Sequence, residues 1–297
     1  AVVIRRSNDN GATWTSPVSG AGGVLTADTG WHIRAGAVTA HGGRVWMYVE
    51  RRGNTARGAY AANVEAGALS APAGADLLDA ANWTFTDPLT PIPASWDTAA
   101  DFRGWTDGRT VADKDGTLRM LLRVLRFSDH AEYLALLAAG EEPGGALSHT
   151  PFWDMALLPG GASAFGVRYD GVSRRFWALT NPDGTDRVGL FSSFTLRDWA
   201  FHAMPLEARA GRTQAFLWPE FQIDGDDLVS VYRTCYADQD GEPASANDLN
   251  YVLFKRLPNF RQLPADKAEG RLLAADGGNG CVRRYSYGAG NGWLFDD

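Results

Sequence analysis

Three acidic residues stand where the sequence could do chemistry: Glu50, Asp107 and Glu220. Each has arginine or tryptophan close by. Glu50 precedes Arg51 and Arg52, Asp107 lies between Trp105 and Arg109, and Glu220 follows Trp218 and Pro219. Two carboxyl groups can share a proton-transfer reaction. One donates a proton to a leaving oxygen, and the other activates water or attacks directly. Crowding pushes their pKa values apart, which lets an acid and a base coexist. Tryptophan faces suit the apolar side of a sugar ring, and arginines suit carboxylates or hydroxyls. Glu220, on the rigid Trp218-Pro219 platform, is the candidate general acid. Asp107, flanked by Gly104 and Gly108, is the candidate base or nucleophile. Glu50 is the third candidate carboxylate, or the group that orients Arg34 or Arg52. The candidate substrate-binding residues are Arg34, Arg109, Arg233, Trp105, Trp218, Asp248 and Asn250.

A single carboxylate at a strand end is as often a turn cap or an ion-pair partner, so these positions carry weight only together. Trp105 and Trp218 could equally pack between sheets. The histidines His32, His41, His130, His149 and His202 show no paired metal spacing. No phosphate loop, dinucleotide fingerprint or nucleophile elbow is present. The expectation is therefore no metal and no cofactor.

The elements that would position these residues are short strands. The chain holds 34 glycines and 11 tryptophans, a pairing typical of tight turns between aromatic-rich strands. Helical periodicity is weak throughout, and the stretch 131–139 reads equally well as a strand. Five hairpins recur. They are 37–49, 110–122, 165–179, 221–232 and 271–285, each apolar or β-branched on both sides of a Gly- or Asp-rich turn. Their turn glycines, Gly43, Gly116, Gly171, Gly225 and Gly280, are spaced by 73, 55, 54 and 55 residues. That is a period with one insertion. A second hairpin follows each first one and ends on an aromatic, giving four strands per period.

The expected fold is all-β: a five-bladed β-propeller of four-stranded antiparallel blades, forming one domain over 1–297. Middle blades are expected at 35–86, 109–155, 163–203 and 219–262. The fifth is expected to be split between the termini, with 1–6 beside 282–285, which would leave no open sheet edge. A preceding segment beyond this sequence would make the count six. In such a blade the candidate residues lie at the starts of first strands, the ends of second strands or the starts of third strands. Those places converge on one face, opposite the glycine turns.

The first short turn is Ser7-Asn8-Asp9-Asn10-Gly11-Ala12-Thr13-Trp14. It resembles the Asp-box, S-x-D-x-G-x-x-W, of sialidases and other BNR-repeat β-propellers. Ser7, Asp9, Gly11 and Trp14 all match. Ser192 to Trp199 repeats the Ser-to-Trp spacing in degenerate form. The wider pattern is similar to a bacterial exo-α-sialidase-like branch. It runs through Gly42-Gly43-Arg44 with Glu50, Gly104 to Gly108, Phe165 to Asp170, Leu196 to Trp199, and Asp248 to Arg261. The resemblance implies a structural role for the Asp-box, with its Asp capping the turn and its Trp packed between blades. It also implies a glycosidase, exo-acting on a glycan that carries an acidic sugar, with arginines at the substrate and a tyrosine nucleophile. Tyr232, Tyr236 and Tyr251 lie near the appropriate face. A polysaccharide lyase on the same scaffold and a non-catalytic glycan-binding propeller remain as alternatives.

The remaining expectations come from composition. A net charge of −7 without a lysine-rich block argues against nucleic acid as a partner and leaves carbohydrate. No run is long enough for a membrane span. A secreted or periplasmic location is expected, although no signal segment is visible in the chain. Cys235 and Cys281 are expected to be unpaired, since they fall at opposite ends of neighbouring second strands.

Overall fold

The computed structural model describes residues 2–33, 36, 38–52, 64–89, 102–126, 133–138, 155–161, 163–182, 184–208, 214–236, 251–265, 270–272 and 283–285. The described residues form β-strands and two short 3-10 turns, with no α-helix among them. No helix among them is long and apolar enough to cross a membrane. By internal contacts the chain falls into two compact units. Unit one comprises 1–93, 102–125 and 136–150; unit two comprises 94–101, 126–135 and 151–297.

Unit one begins with β1 (Val2–Val3), which pairs antiparallel with β2 (Val24–Thr26). β3 (Trp31–His32) and β4 (Thr39–His41) both run antiparallel to β5 (Arg44–Arg52), at its two ends. β5 pairs along its whole length with β6 (Val64–Pro72), and β7 (Thr84–Phe85) pairs with β6 beyond it. The β4–β5 turn is Gly42-Gly43, with φ of 57° and 71° and His41 opposite Arg44. A two-residue turn with both φ values positive twists with its strands, and glycine takes it without strain. β8 (Phe102–Ala112) and β9 (Leu118–Arg126) are the next neighbouring strands. The core packs Trp31, Val49, Leu69 and Trp83 with Val2 and Leu25.

β10 (Tyr133–Ala138) pairs through Tyr133 to Ala135 with β11 (Met155–Leu157). Unit two then contains a complete four-stranded meander: β12 (Gly166–Asp170), β13 (Arg175–Thr180), β14 (Arg187–Ser193) and β15 (Ala200–Glu207). β13 and β14 are buried on nearly every residue, as central strands covered on both faces must be. The next sheet has three strands, β16 (Phe216–Asp224), β17 (Asp227–Thr234) and β18 (Tyr251–Leu257). β19 (Gly270–Leu272) and β20 (Arg283–Tyr285) form a separate pair. Trp177, Leu179, Leu190, Phe216, Phe221, Tyr232 and Phe260 form this unit's core.

Four of the glycine-turn hairpins, at Gly43, Gly116, Gly171 and Gly225, appear where the sequence places them; for the fifth, β19 pairs with β20 and the turn at Gly280 lies outside the described residues. Residues 133–138 are a strand. Three expectations differ. β1 takes β2 as its partner and β19 takes β20, so the terminal pairing of the split blade is not among the described pairings. The segment 4–23 folds back on itself and returns β2 to β1 through Ile4 N–H to Gly23 O at 2.8 Å. Among the described residues the block 219–262 shows three strands, with 237–250 outside them. After β18 the chain turns at Asn259, φ 50°, into a 3-10 turn at Phe260–Gln262 whose Phe260 ring packs edge-on to Trp177. The third difference is Trp14. It is 58% exposed and folds over its own turn, its Nε1 donating to Gly11 O at 3.0 Å.

The turn itself closes as the motif requires. Asp9 accepts from Thr13 N–H at 2.8 Å, Thr13 Oγ1 at 2.6 Å and Ser7 Oγ at 2.7 Å. These bonds, the Thr13 side chain first, hold the Asp9 carboxyl down at about 2. The degenerate copy differs, because its Trp199 is buried. Cys235 is buried at the end of β17, and Cys281 lies outside the described residues.

Candidate active site

Glu50 and Arg233 lie near the ends of β5 and β17, where second-strand ends were expected, whereas Trp105, Asp107, Arg109, Trp218 and Glu220 were expected just before their first strands. Instead they sit inside them, because β8 and β16 are longer than the alternation suggests and each is distorted midway. Among the described residues, Asp107 (φ 52°) and Trp218 (φ 54°) are the two non-glycine residues that take left-handed backbone within a strand. In β16 the distortion is a bulge. Leu217 and Glu220 oppose Arg233 and Val231, so Trp218 and Pro219 together face Tyr232. Left-handed backbone is costly for an aromatic side chain, and bulges of this kind re-aim side chains near sites.

In unit one, the β8 distortion meets β5. Glu50 is wholly buried, and its Oε1 is a focus of donors. Thr106 Oγ1 donates at 3.0 Å, the Asp107 backbone N–H at 2.9 Å and the Tyr48 hydroxyl at 3.2 Å. The Asp107 carboxylate pairs with Arg123 from β9 at 3.1 Å, and its side chain is 8% exposed. Burial, followed by the negative charges of Glu50 and Asp107, pushes the Tyr48 phenol well above its ordinary range. It therefore stays protonated and remains a donor. Gly108 lets β8 approach Tyr48: a Cβ there would fall 2.5 Å from two of its ring carbons.

In unit two, the Glu220 side chain is 21% exposed. Its Oε1 accepts the Phe221 N–H at 3.2 Å and lies 3.4 Å from Arg168 Nη2. Arg168 Nε also donates to Phe221 O. Arg168 and Gly166 alternate along β12 and so share one face. A Cβ at Gly166 would fall 2.8 Å from Pro219 O, so the glycine lets β12 seat against the bulge. Half-buried Trp218 carries the Arg233 guanidinium 4.3 Å from its ring centroid, and Arg233 is exposed.

The structure thus joins Glu50 to Asp107, and Trp218 to Arg233. Trp105 and Arg109 are each 1% exposed. Neither offers a face to a ligand here, because positions 105 and 109 of β8 point into the interior; Arg109 Nη1 donates to Gly108 O at 2.8 Å. Among the tyrosines, Tyr232 is buried and donates to Ser230 at 2.8 Å. Burial pushes its phenol up to about 12, which disfavours a nucleophilic phenolate. Tyr236 and Tyr251 are exposed, with ring centroids 5.9 Å apart. Arg34, Asp248 and Asn250 lie outside the described residues. Four residues at these carboxylates were missed by sequence reasoning: Tyr48, Thr106, Arg123 and Arg168. The readable signal for Tyr48 was its place two residues before Glu50, on the same strand face.

No family model and no curated protein matches the chain. Solved structures do. An α-L-arabinanase from Penicillium chrysogenum, complexed with arabinobiose, aligns over 88% of this chain and 68% of its own, at 12% identity and a TM-score of 0.50. An α-L-arabinofuranosidase from Lactobacillus brevis aligns over 74% and 70%, at 12% identity and a TM-score of 0.49. The arabinanase likeness, with the nearly all-β antiparallel sheets, shows a β-propeller fold.

Proposed function

We propose that the protein is a glycoside hydrolase in which Asp107 acts as general base or nucleophile. The observation that carries this reading is the Asp107 site itself. A carboxylate in left-handed backbone is ion-paired to Arg123 at 3.1 Å and anchored through its own N–H on buried Glu50. An ionised, positioned carboxylate is what a base or nucleophile needs. Glu220 is the second candidate carboxylate. It lies 3.4 Å from Arg168 Nη2 and carries the acid role expected from sequence. The neighbour with a similar fold is named as an arabinanase complexed with arabinobiose, which supports carbohydrate as the substrate. The exo-acting, acidic-sugar specificity rests on the sialidase resemblance alone. The five-blade count rests on the hairpin period.

A panel of aryl glycosides and of neutral and acidic oligosaccharides, with product analysis, tests the reading. Release of reducing sugar that requires Asp107 supports it. An unsaturated, ultraviolet-absorbing product would make the protein a lyase. Ligand retention without turnover would make it a binding module.

A further inference from the structure

We infer that Glu50 and Tyr48 form a buried brace for the Asp107 backbone, so that Glu50 is a positioning residue rather than an acid or base. The inference rests on Asp107 being the reacting carboxylate. Glu50 is 0% exposed, so it cannot touch a substrate in this structure. What it does touch is two successive residues of β8, through the Thr106 hydroxyl and the Asp107 N–H. The second of these is the residue whose φ leaves the strand region. A buried acceptor on that N–H specifies the unusual conformation, because the alternative is an unsatisfied polar group.

Tyr48 completes the brace from the same face of β5. Its hydroxyl donates to the same Glu50 oxygen, at 3.2 Å, and its ring lies against Gly108. The residues on both sides of Asp107 are therefore held, Thr106 by a hydrogen bond and Gly108 by contact. Arg123 then fixes the carboxylate itself. Reacting groups need placement to within about 0.5 Å, which packing and hydrogen bonds behind the site must supply.

The described donors on Glu50 Oε1 include a hydroxyl, an amide and a phenol, each of which a glutamine oxygen can also accept. The test compares Glu50→Gln, Glu50→Leu, Tyr48→Phe and Asp107→Asn. The readouts are amide hydrogen exchange at Asp107, which needs no substrate, and kcat and KM on the best glycoside from the panel. Glu50→Leu should speed Asp107 exchange about tenfold, the scale of one lost hydrogen bond to a charged group. It should lower kcat by a similar factor with KM within about threefold, as expected when only transition-state placement is lost. Glu50→Gln should stay within about threefold of wild type in both. Tyr48→Phe, which keeps the packing, should fall between them.

Unchanged Asp107 exchange in Glu50→Leu and Tyr48→Phe overturns the brace. Glu50→Gln as impaired in kcat as Asp107→Asn makes Glu50 a reacting group and overturns the positioning role. A fully active Asp107→Asn instead removes the catalytic reading of Asp107, and the exchange result then describes a structural brace only.

Discussion

Asp107 and Glu220 belong to different units, yet each depends on a first strand that departs from regular geometry. β8 turns left-handed at Asp107 itself, and β16 does so at Trp218, two residues before Glu220. Their surroundings differ. Asp107 is nearly buried, salt-bridged to Arg123 and anchored through its backbone on Glu50. Glu220 is more open, and its contacts include the Phe221 N–H and a longer approach by Arg168. In the first case the backbone is fixed and the carboxylate follows. In the second a cation from a neighbouring strand reaches over to a carboxylate that keeps more contact with solvent. A fixed carboxylate suits attack or proton abstraction, whereas a more exposed one can reach a leaving oxygen from the solvent side.

The largest expected effect comes from the carboxylates themselves. Asp107→Asn should lower kcat at least about a hundredfold on any glycoside the protein turns over, the low end of general acid–base contributions. Asparagine tolerates the left-handed backbone, so the fold should survive. Glu220→Gln should give a loss of the same order. Steady-state kinetics of both variants breaks the comparison if Glu220→Gln is silent.

Next in size is the ion pair at the far end of β12 from Gly166. Arg261 grips Asp170 with two bonds, at 2.7 and 2.9 Å, and Asp170 is 3% exposed. Burial opposes the charge on Asp170, but Arg261 and Ser173 hold its carboxyl below the usual range. Arg261→Met leaves a buried carboxylate without its main partner. It should cost about 3 kcal/mol in denaturant unfolding.

Gly108→Ala and Gly166→Ala sharpen the contrast at the level of packing. Each should destabilise by about 1–3 kcal/mol, the usual range for overpacking, measured by thermal melting. Gly108→Ala must displace the Tyr48 ring, whereas Gly166→Ala meets the Pro219 carbonyl. The first should therefore also disturb Asp107, and the second the bulge before Glu220.

The smallest effects separate the units by pH. Burial lowers the His202 pKa below its usual 6.5, against the hydrogen bond to Leu263 O. The folded state then prefers neutral imidazole, so stability present above pH 6.5 declines as pH falls through that value. Asp9 has a carboxyl lowered from 3.8 to about 2, so its contribution is present above pH 3.8 and is lost between there and about 2. A melting series across pH should show a shallow loss below 6.5 that His202→Gln removes. A further acid loss should be removed by Asp9→Ala, which should also lower the melting temperature at neutral pH.

The hairpins were readable because glycine turns such as Gly42-Gly43 and Gly225 carry their conformation in their own composition. The meander β12–β15 was readable for the same reason, from apolar runs between such turns. The bulges were not. Whether Trp218-Pro219 faces one residue or two depends on β17, and no local pattern reports a partner strand's register. Trp105 and Arg109 misled for a related reason, since an alternation read as exposed loop became the inner face of a longer strand. Glu50 and Asp107 were found as types but not as a bonded pair. Arg123 and Arg168 looked like ordinary strand arginines until their neighbours were known. The terminal pairing is not among the described pairings; the local return of β2 to β1 through 4–23 is a feature that strand spacing alone cannot anticipate.

Chemical rescue reports most directly on Asp107. Asp107→Gly removes the carboxylate while keeping a residue that takes φ near 52° without strain. On the best substrate from the glycoside panel, this variant should be nearly inactive. Added azide, a small anion able to enter the vacated space, should restore cleavage and form a glycosyl azide. Turnover close to wild type without azide, in a folded Asp107→Gly protein, would contradict Asp107 as the reacting carboxylate.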